Sequence, residues 1–361
     1  LGVVGSAIEI GVIVAAFLLG ISDLVRLAAS GTTHVALRLR GTRGRATGTD
    51  TRTDLGTGTH TGTHTDTGAG TVMVAPAVPQ ASRREFVSRL VAGSALAAGA
   101  STAAYGAIFG RHDYTIEEVV VRIPGLPRAL EGYTLVQLSD VHFGQYIGER
   151  EIAAASSLVK DARPDMVVLT GDLVDHDIRY APLLGAFARR LGQHARDGVV
   201  SVPGNHDHYA GLGEVHDVLR AAGARVLMNE GLIIGEPKAG LALLGVDDLW
   251  GARRSRGLGP NLDQAIASVP RDLPRVLLCH NPAFFPEAAG RVALQLSGHT
   301  HGGQVNFLVR LADMVLPFGY VAGRYDRQGS ELWVNRGFGT AGPPLRVGAP
   351  PEVTRVVLVS A

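Results

Sequence analysis

The sequence predicts an α/β protein in which two packed sheets carry helices on their outer faces, behind an N-terminal membrane-anchor region. Three observations predict it. Five apolar runs between residues 134 and 296 each end in a polar residue able to hold a metal ion. Strand-like and helix-like segments alternate as far as residue 268 and then give way to strands, the order expected of sheets packed with helices outside. Upstream of residue 112, residues 1–21 carry one charge, Glu9, and residues 90–110 carry none.

The N-terminal elements follow from composition. Val12 to Ile21 is apolar, and that character extends back to Leu1 except at Glu9. Residues 1–30 are therefore expected to form a transmembrane or membrane-associated helix, since a span needs about 20 apolar residues. Residues 31–81 are Thr/Gly-rich, and Thr57-Gly58-Thr59-His60 is repeated at once as Thr61-Gly62-Thr63-His64. Such a stretch buries no core and is read as a flexible linker. Residues 82–111 open on Ser82-Arg83-Arg84-Glu85-Phe86-Val87 and continue as the uncharged run. Paired arginines before an Ala/Gly-rich apolar segment resemble a twin-arginine export signal. Val87 stands where Leu is usual and some 80 residues precede the motif, so a retained anchor is expected rather than a cleaved peptide. Between the two apolar runs lie Arg38, Arg40, Arg43, Arg45, Arg52, Arg83, Arg84 and Arg89. Basic connectors stay in the cytoplasm, which places residues 112–361 outside.

The net charge of +1 gives nucleic acid no electrostatic hold, so none is expected as a partner. The single cysteine, Cys279, allows no internal disulfide; it sits in an apolar run and reads as core. From residue 112 the pattern predicts strands at 118–123, 232–234, 241–246, 332–335 and 354–359. Helices are predicted at 149–161, 181–191, 213–222 and 261–268. Pro182 sits near a helix start, and Gly223 closes another helix.

The five apolar runs carry the chemistry. Residues 134–138 lead to Asp140 and His142, 166–170 to Gly171-Asp172, 199–203 to Gly204-Asn205-His206-Asp207, and 275–279 to His280. Residues 292–296 lead to Gly298-His299-Thr300-His301-Gly302-Gly303. Each reads as a buried strand, and open α/β sheets bind ligands beyond the carboxyl ends of their strands. Two histidines two apart converge on one place only where nothing bulky intervenes, and the flanking glycines permit that.

Taken in order, these blocks resemble the calcineurin-like metallophosphoesterases. Leu138-Ser139-Asp140, Ser297 to Gln304 and Val334-Asn335-Arg336-Gly337 are similar to a bacterial membrane-associated branch of that family. The resemblance covers about residues 112–361 and implies a four-layer α/β/β/α sandwich. It implies two divalent ions (Mn, Fe, Zn or Co): Asp172 bridging, Asp140, His142 and His301 completing one shell, and Asn205, His280 and His299 the other. Carboxylate, amide and imidazole donors suit such metals. A neutral amide at Asn205 limits the negative charge facing a phosphate. A water shared by two ions is the expected nucleophile. By the same resemblance His206 is a catalytic residue rather than a ligand, pointing at the substrate to protonate the leaving oxygen or to steady the phosphoryl charge, and Asp207 next to it is placed to orient it. Asp175 and Asp177 read as turn residues, with support of the metal ligands as the alternative; His208 and Tyr209 read equally as lining the mouth or as plain surface, and His176, His194 and His216 as surface histidines. Asn335-Arg336 reads equally as a phosphate contact or a structural turn.

The activity implied is hydrolysis of a phosphoester, a diester before a monoester, in an envelope or lipid-linked substrate at a membrane. A UDP-2,3-diacylglucosamine-type pyrophosphate is the alternative substrate, and a non-catalytic metal-stabilised binding module the alternative function.

Overall fold

The computed structural model describes residues 82–254, 259–306, 310, 312–316 and 318–361. The helix expected at 1–30 and the linker at 31–81 lie outside the described residues. Ala100–Ala361 belong to one compact unit, and residues 82–99 to a second.

The first sheet holds β1 (Thr115–Ile123), β2 (Thr134–Leu138), β3 (Met166–Thr170), β4 (Val199–Val202), β5 (Arg225–Val226) and the last strand, β12 (Glu352–Ser360). Their spatial order is β1-β12-β2-β3-β4-β5. β2 through β5 run parallel, and β12 lies parallel to β1 and antiparallel to β2. The second sheet holds β6 (Glu230–Glu236), β7 (Ala239–Gly245), β8 (Arg275–Leu278), β9 (Leu294–Ser297), β10 (Gly323–Arg327) and β11 (Ser330–Val334). Its order is β10-β11-β9-β8-β7-β6, with a parallel centre from β11 to β7 and an antiparallel strand at each edge.

Side-chain alternation along the strands sorts the core into layers. In β3, Val168 joins the cluster between the sheets with Leu135, Val200, Leu243, Val276 and Leu296, while Val167 and Leu169 face the other way. That outer cluster includes Ile152 and Val159 of α2 (Glu149–Ala162), Leu184 and Phe187 of α3 (Ala181–Gly192), and Leu219 of α5 (Leu212–Ala221). Beyond the second sheet, Ala242, Leu244 and Leu277 pack on Leu262 and Ala265 of α6 (Leu262–Ala267) and on Phe284. The result is the α/β/β/α sandwich. Strands buried on both faces read as continuous apolar runs, which is why β2, β3 and β4 stand out in the sequence.

The apolar helix is α1 (Arg83–Ile108), inside the expected bounds 82–111. Ser82 accepts the Glu85 amide at 3.2 Å and the Phe86 amide reaches Ser82 O, so a Ser-x-x-Glu capping signal starts the helix at the arginines. In the second sheet, β11 ends at Val334 and Asn335 turns away, its amide donating to Ser297 O.

The sheets are stitched where the site lies. Buried Gln137 donates to Thr170 Oγ1 and to Ser297 O, both at 2.9 Å. The carboxyl ends of β2, β3 and β4 thereby stand beside those of β8 and β9.

Candidate metal centre

The strand ends bring six of the seven expected ligands into two adjoining groups. Asp140, His142 and His301 form one; Asp172, His280 and His299 form the other, each with ligand atoms mutually within 4.8 Å. His142 Nε2 lies 3.1 Å from His301 Nε2, across 159 residues of sequence, and His280 Nε2 lies 3.2 Å from His299 Nδ1. His301 Nε2 is 3.4 Å from Asp140 Oδ1. Between the groups stands Asp172, whose Oδ2 is 3.2 Å from His280 Nε2 and 3.8 Å from His142 Nε2. His299 and His301 thus serve different groups.

Asn205 arrives through its neighbours at the start of a short helix, α4 (Asn205–Ala210). The His206 amide donates to Asp172 Oδ1 at 2.7 Å. The Asn205 side-chain oxygen is buried with no hydrogen-bond partner among the described residues.

This donor set fits a pair of divalent cations. Imidazole nitrogens meet imidazole nitrogens around carboxylates in a buried place, and a neutral ring has one N–H for two nitrogens. The His280 ring is fixed by a 2.8 Å bond from Nδ1–H to Thr170 O, which leaves the Nε2 lone pair facing Asp172 and His299, the tautomer a metal ligand needs. Burial works against ionisation of Asp172, yet His280 and His142 hold its carboxyl well below the usual range. Burial lowers His301, with His142 and Arg346 adding to it, and burial next to His280 lowers His299. Ionised Asp172 and uncharged His299 and His301 are the forms that coordinate; burial lowers His280, but Asp172 and Asp140 hold it well above the usual range, so an arriving cation takes the place of a proton there.

The backbone is strained at the same places. Asp140, His142, Asp172, His299 and His301 all have positive φ, between 51° and 73°. Left-handed conformations are uncommon outside glycine and cost of order 1–3 kcal/mol each, and they collect at functional sites. Glycines let the turns close. A Cβ on Gly298 would strike Ser139 Oγ and Asp140 Oδ2, and one on Gly204 would strike the Asp172 amide and carboxylate.

His206 lies beside the first group, its ring 4.6 Å from that of His142. Its Nδ1 donates to Asp175 O at 2.8 Å and lies 3.2 Å from Asp175 Oδ1. Burial lowers its pKa, but Asp175 and the Asp172 charge overcome this and raise it to about 9. Asp175, rather than the neighbouring Asp207, is thus the carboxylate that meets the His206 ring. The Asp207 carboxylate is occupied by three backbone amides, Leu173 at 2.9 Å, Val174 at 3.1 Å and Gly204 at 2.9 Å, and it braces the turns under Asp172. His208 does not line the mouth; it is buried with Nε2 2.8 Å from Asp247 Oδ1. Tyr209 does stand there, its ring 5.1 Å from those of His206 and Trp250, with His176 4.7 Å from His206. Arg336 does not face the centre: it pairs with Glu117 at 2.7 Å and Glu352 at 3.2 Å. Cys279 is buried core. The pairing of Asp175 with His206 has no signal in the sequence, because the two lie 31 residues apart and no spacing rule links them.

Residues 133–303 match the calcineurin-like phosphoesterase family. The chain is 32% identical over 296 residues to a zebrafish (Danio rerio) transmembrane protein with metallophosphoesterase domain, covering 79% of this chain and 65% of that protein's length. It is 30% identical over 290 residues to the Bacillus subtilis metallophosphoesterase YkuE, covering 77% and 98%. It is 33% identical over 244 residues to a metallophosphoesterase of Aquifex aeolicus, covering 67% and 91%.

Proposed function

The chain belongs to the calcineurin-like phosphoesterase family and is a phosphoester hydrolase; from that premise we propose that it is a dinuclear, membrane-anchored phosphodiesterase. The reading rests on one observation above the others. A single buried carboxylate oxygen, Asp172 Oδ2, faces both histidine groups, the place of a ligand shared by two ions. Asp140, His142 and His301 would hold one ion, and Asn205, His280 and His299 the other. When bound, such a pair supplies Lewis acidity and a water deprotonated near neutral pH.

The chain's own groups do the rest. Thr170 O keeps His280 turned inward. The neutral Asn205 amide adds no negative charge where a phosphate must approach. His206, charged and held by Asp175, donates its proton to the leaving oxygen. The rings of His176 and Tyr209 flank His206, with Trp250 edge-on to Tyr209, and this aromatic surface suits a second ester group and so favours a diester.

Among the described residues one helical region, Arg83–His112, is long and apolar enough to cross a membrane. Its apolar side chains Phe86, Leu90, Leu96 and Ile108 are exposed. With the arginines concentrated before it, the catalytic domain lies on the extracytoplasmic side, where an envelope or lipid-linked phosphoester is the substrate at hand. Spheroplasts carrying the full chain should hydrolyse bis(p-nitrophenyl) phosphate, a charged diester that stays outside, as fast before lysis as after. A chelator should stop the reaction. Hydrolysis only after lysis would place the site on the cytoplasmic face and return a nucleotide-linked pyrophosphate as the candidate. No chelator-sensitive hydrolysis in either preparation contradicts the diesterase assignment.

A further inference from the structure

Arg346 is the largest fully buried side chain among the described residues, 1% exposed. A buried charge without compensation costs several kcal/mol. Among the described residues its hydrogen bonds run to backbone carbonyls and one ring nitrogen, with no carboxylate among them. Nε donates to Gly339 O at 2.8 Å, and Nη2 to Gly339 O at 2.6 Å and Gly337 O at 3.0 Å. Nη1 donates to Ala349 O at 3.0 Å and His301 O at 3.4 Å, and Nη2 lies 3.2 Å from His301 Nδ1. One guanidinium fork thereby buckles the histidine loop to two others.

Those loops form the floor of one metal group. The amides of Phe338 and Gly339 donate to Ser139 O and Asp140 O, each at 2.8 Å. Gly337 is pressed against Asp140, since a Cβ there would lie 2.8 Å from Asp140 Cβ. Arg346 therefore fixes the seats of Asp140 and His301 together.

The backbone of Arg346 is held in turn by the end of α1. Its amide donates to Gly106 O at 3.2 Å. A Cβ on Gly106 would come within 2.9 Å of Arg346 O, and one on Gly110 would collide with that same oxygen. Ala103, one turn before Gly106 on this helix, is buried.

We propose that Arg346 is a positioning residue for the metal group of Asp140, His142 and His301, and that the end of α1 sets it through its backbone. The inference rests on the two-metal reading above. The helix is then part of the working centre as well as its tether.

The test uses the detergent-solubilised full chain, counting bound ions per chain after Mn²⁺ loading and measuring kcat and KM separately. Arg346→Met should keep a cooperative thermal transition, lose about one of two ions, and lower kcat with little change in KM. Altering groups that orient metal ligands typically costs ~10–100-fold in metal affinity or activity. Arg346→Lys should restore part of both, because an ammonium keeps the charge and three of five donors. Gly110→Ala, with Arg346 intact, should weaken the same ion. Folded Arg346→Met with both ions at wild-type affinity overturns the proposal. If that variant does not fold, unchanged metal affinity in both Arg346→Lys and Gly110→Ala overturns it instead. A wild-type chain that binds no metal refutes the two-metal reading itself, a separate outcome.

Discussion

Asp172→Ala is expected to abolish turnover and to leave the protein with no tightly bound divalent metal. Its Oδ2 is the only described carboxylate oxygen paired with histidines of both groups, His142 at 3.8 Å and His280 at 3.2 Å. Removing it takes a charged donor from two ions at once. Oδ1 also receives the His206 amide at 2.7 Å, so the turn carrying Asn205 loses its attachment as well. The loss should exceed the ~10²–10⁴-fold typical of a missing general acid. Metal analysis after desalting, with a thermal transition to show that the chain still folds, checks the prediction. Two ions retained by a folded Asp172→Ala chain would remove Asp172 from the shared position.

His206→Ala should behave differently. It is expected to lower kcat by ~10²–10⁴-fold while both ions stay bound. The ring lies outside the two groups assigned to the ions, in a third group with His142 and Asp175, and its Nδ1 is satisfied by the Asp175 carbonyl at 2.8 Å. That contact and the Asp172 charge favour the protonated ring over the opposing effect of burial. The deficit should shrink for a diester with a nitrophenolate leaving group, which needs less help from an acid than an alkoxide does. Stoichiometric loss of an ion from His206→Ala would show that the ring is a ligand.

The sequence carries the fold clearly where strands are buried on both sides. β2 and β3 have the boundaries their apolar runs imply, and β4 ends one residue early at Val202. The candidate ligand set is legible because each of its members follows such a run. What surrounds the ligands is not, because it depends on contacts without a local signature. Asp175 looks like any turn aspartate until the fold brings it under His206. Asp207, next in sequence to that histidine, points the other way because a helical start aims its carboxylate at the amides of Gly204, Leu173 and Val174. Arg346 lies in an irregular Pro-Pro-Leu-Arg stretch, 45 residues from His301, with no periodicity to give it away. The left-handed backbone at five of the ligands is equally silent, since only glycine announces that conformation in a sequence.

The most direct test of the two-metal centre is anomalous X-ray scattering from crystals of the full chain loaded with Mn²⁺. Two peaks are expected in each molecule, one among Asp140, His142 and His301 and one among Asn205, His280 and His299, with the Asp172 carboxylate between them. A single peak, or peaks held by other residues, would contradict it.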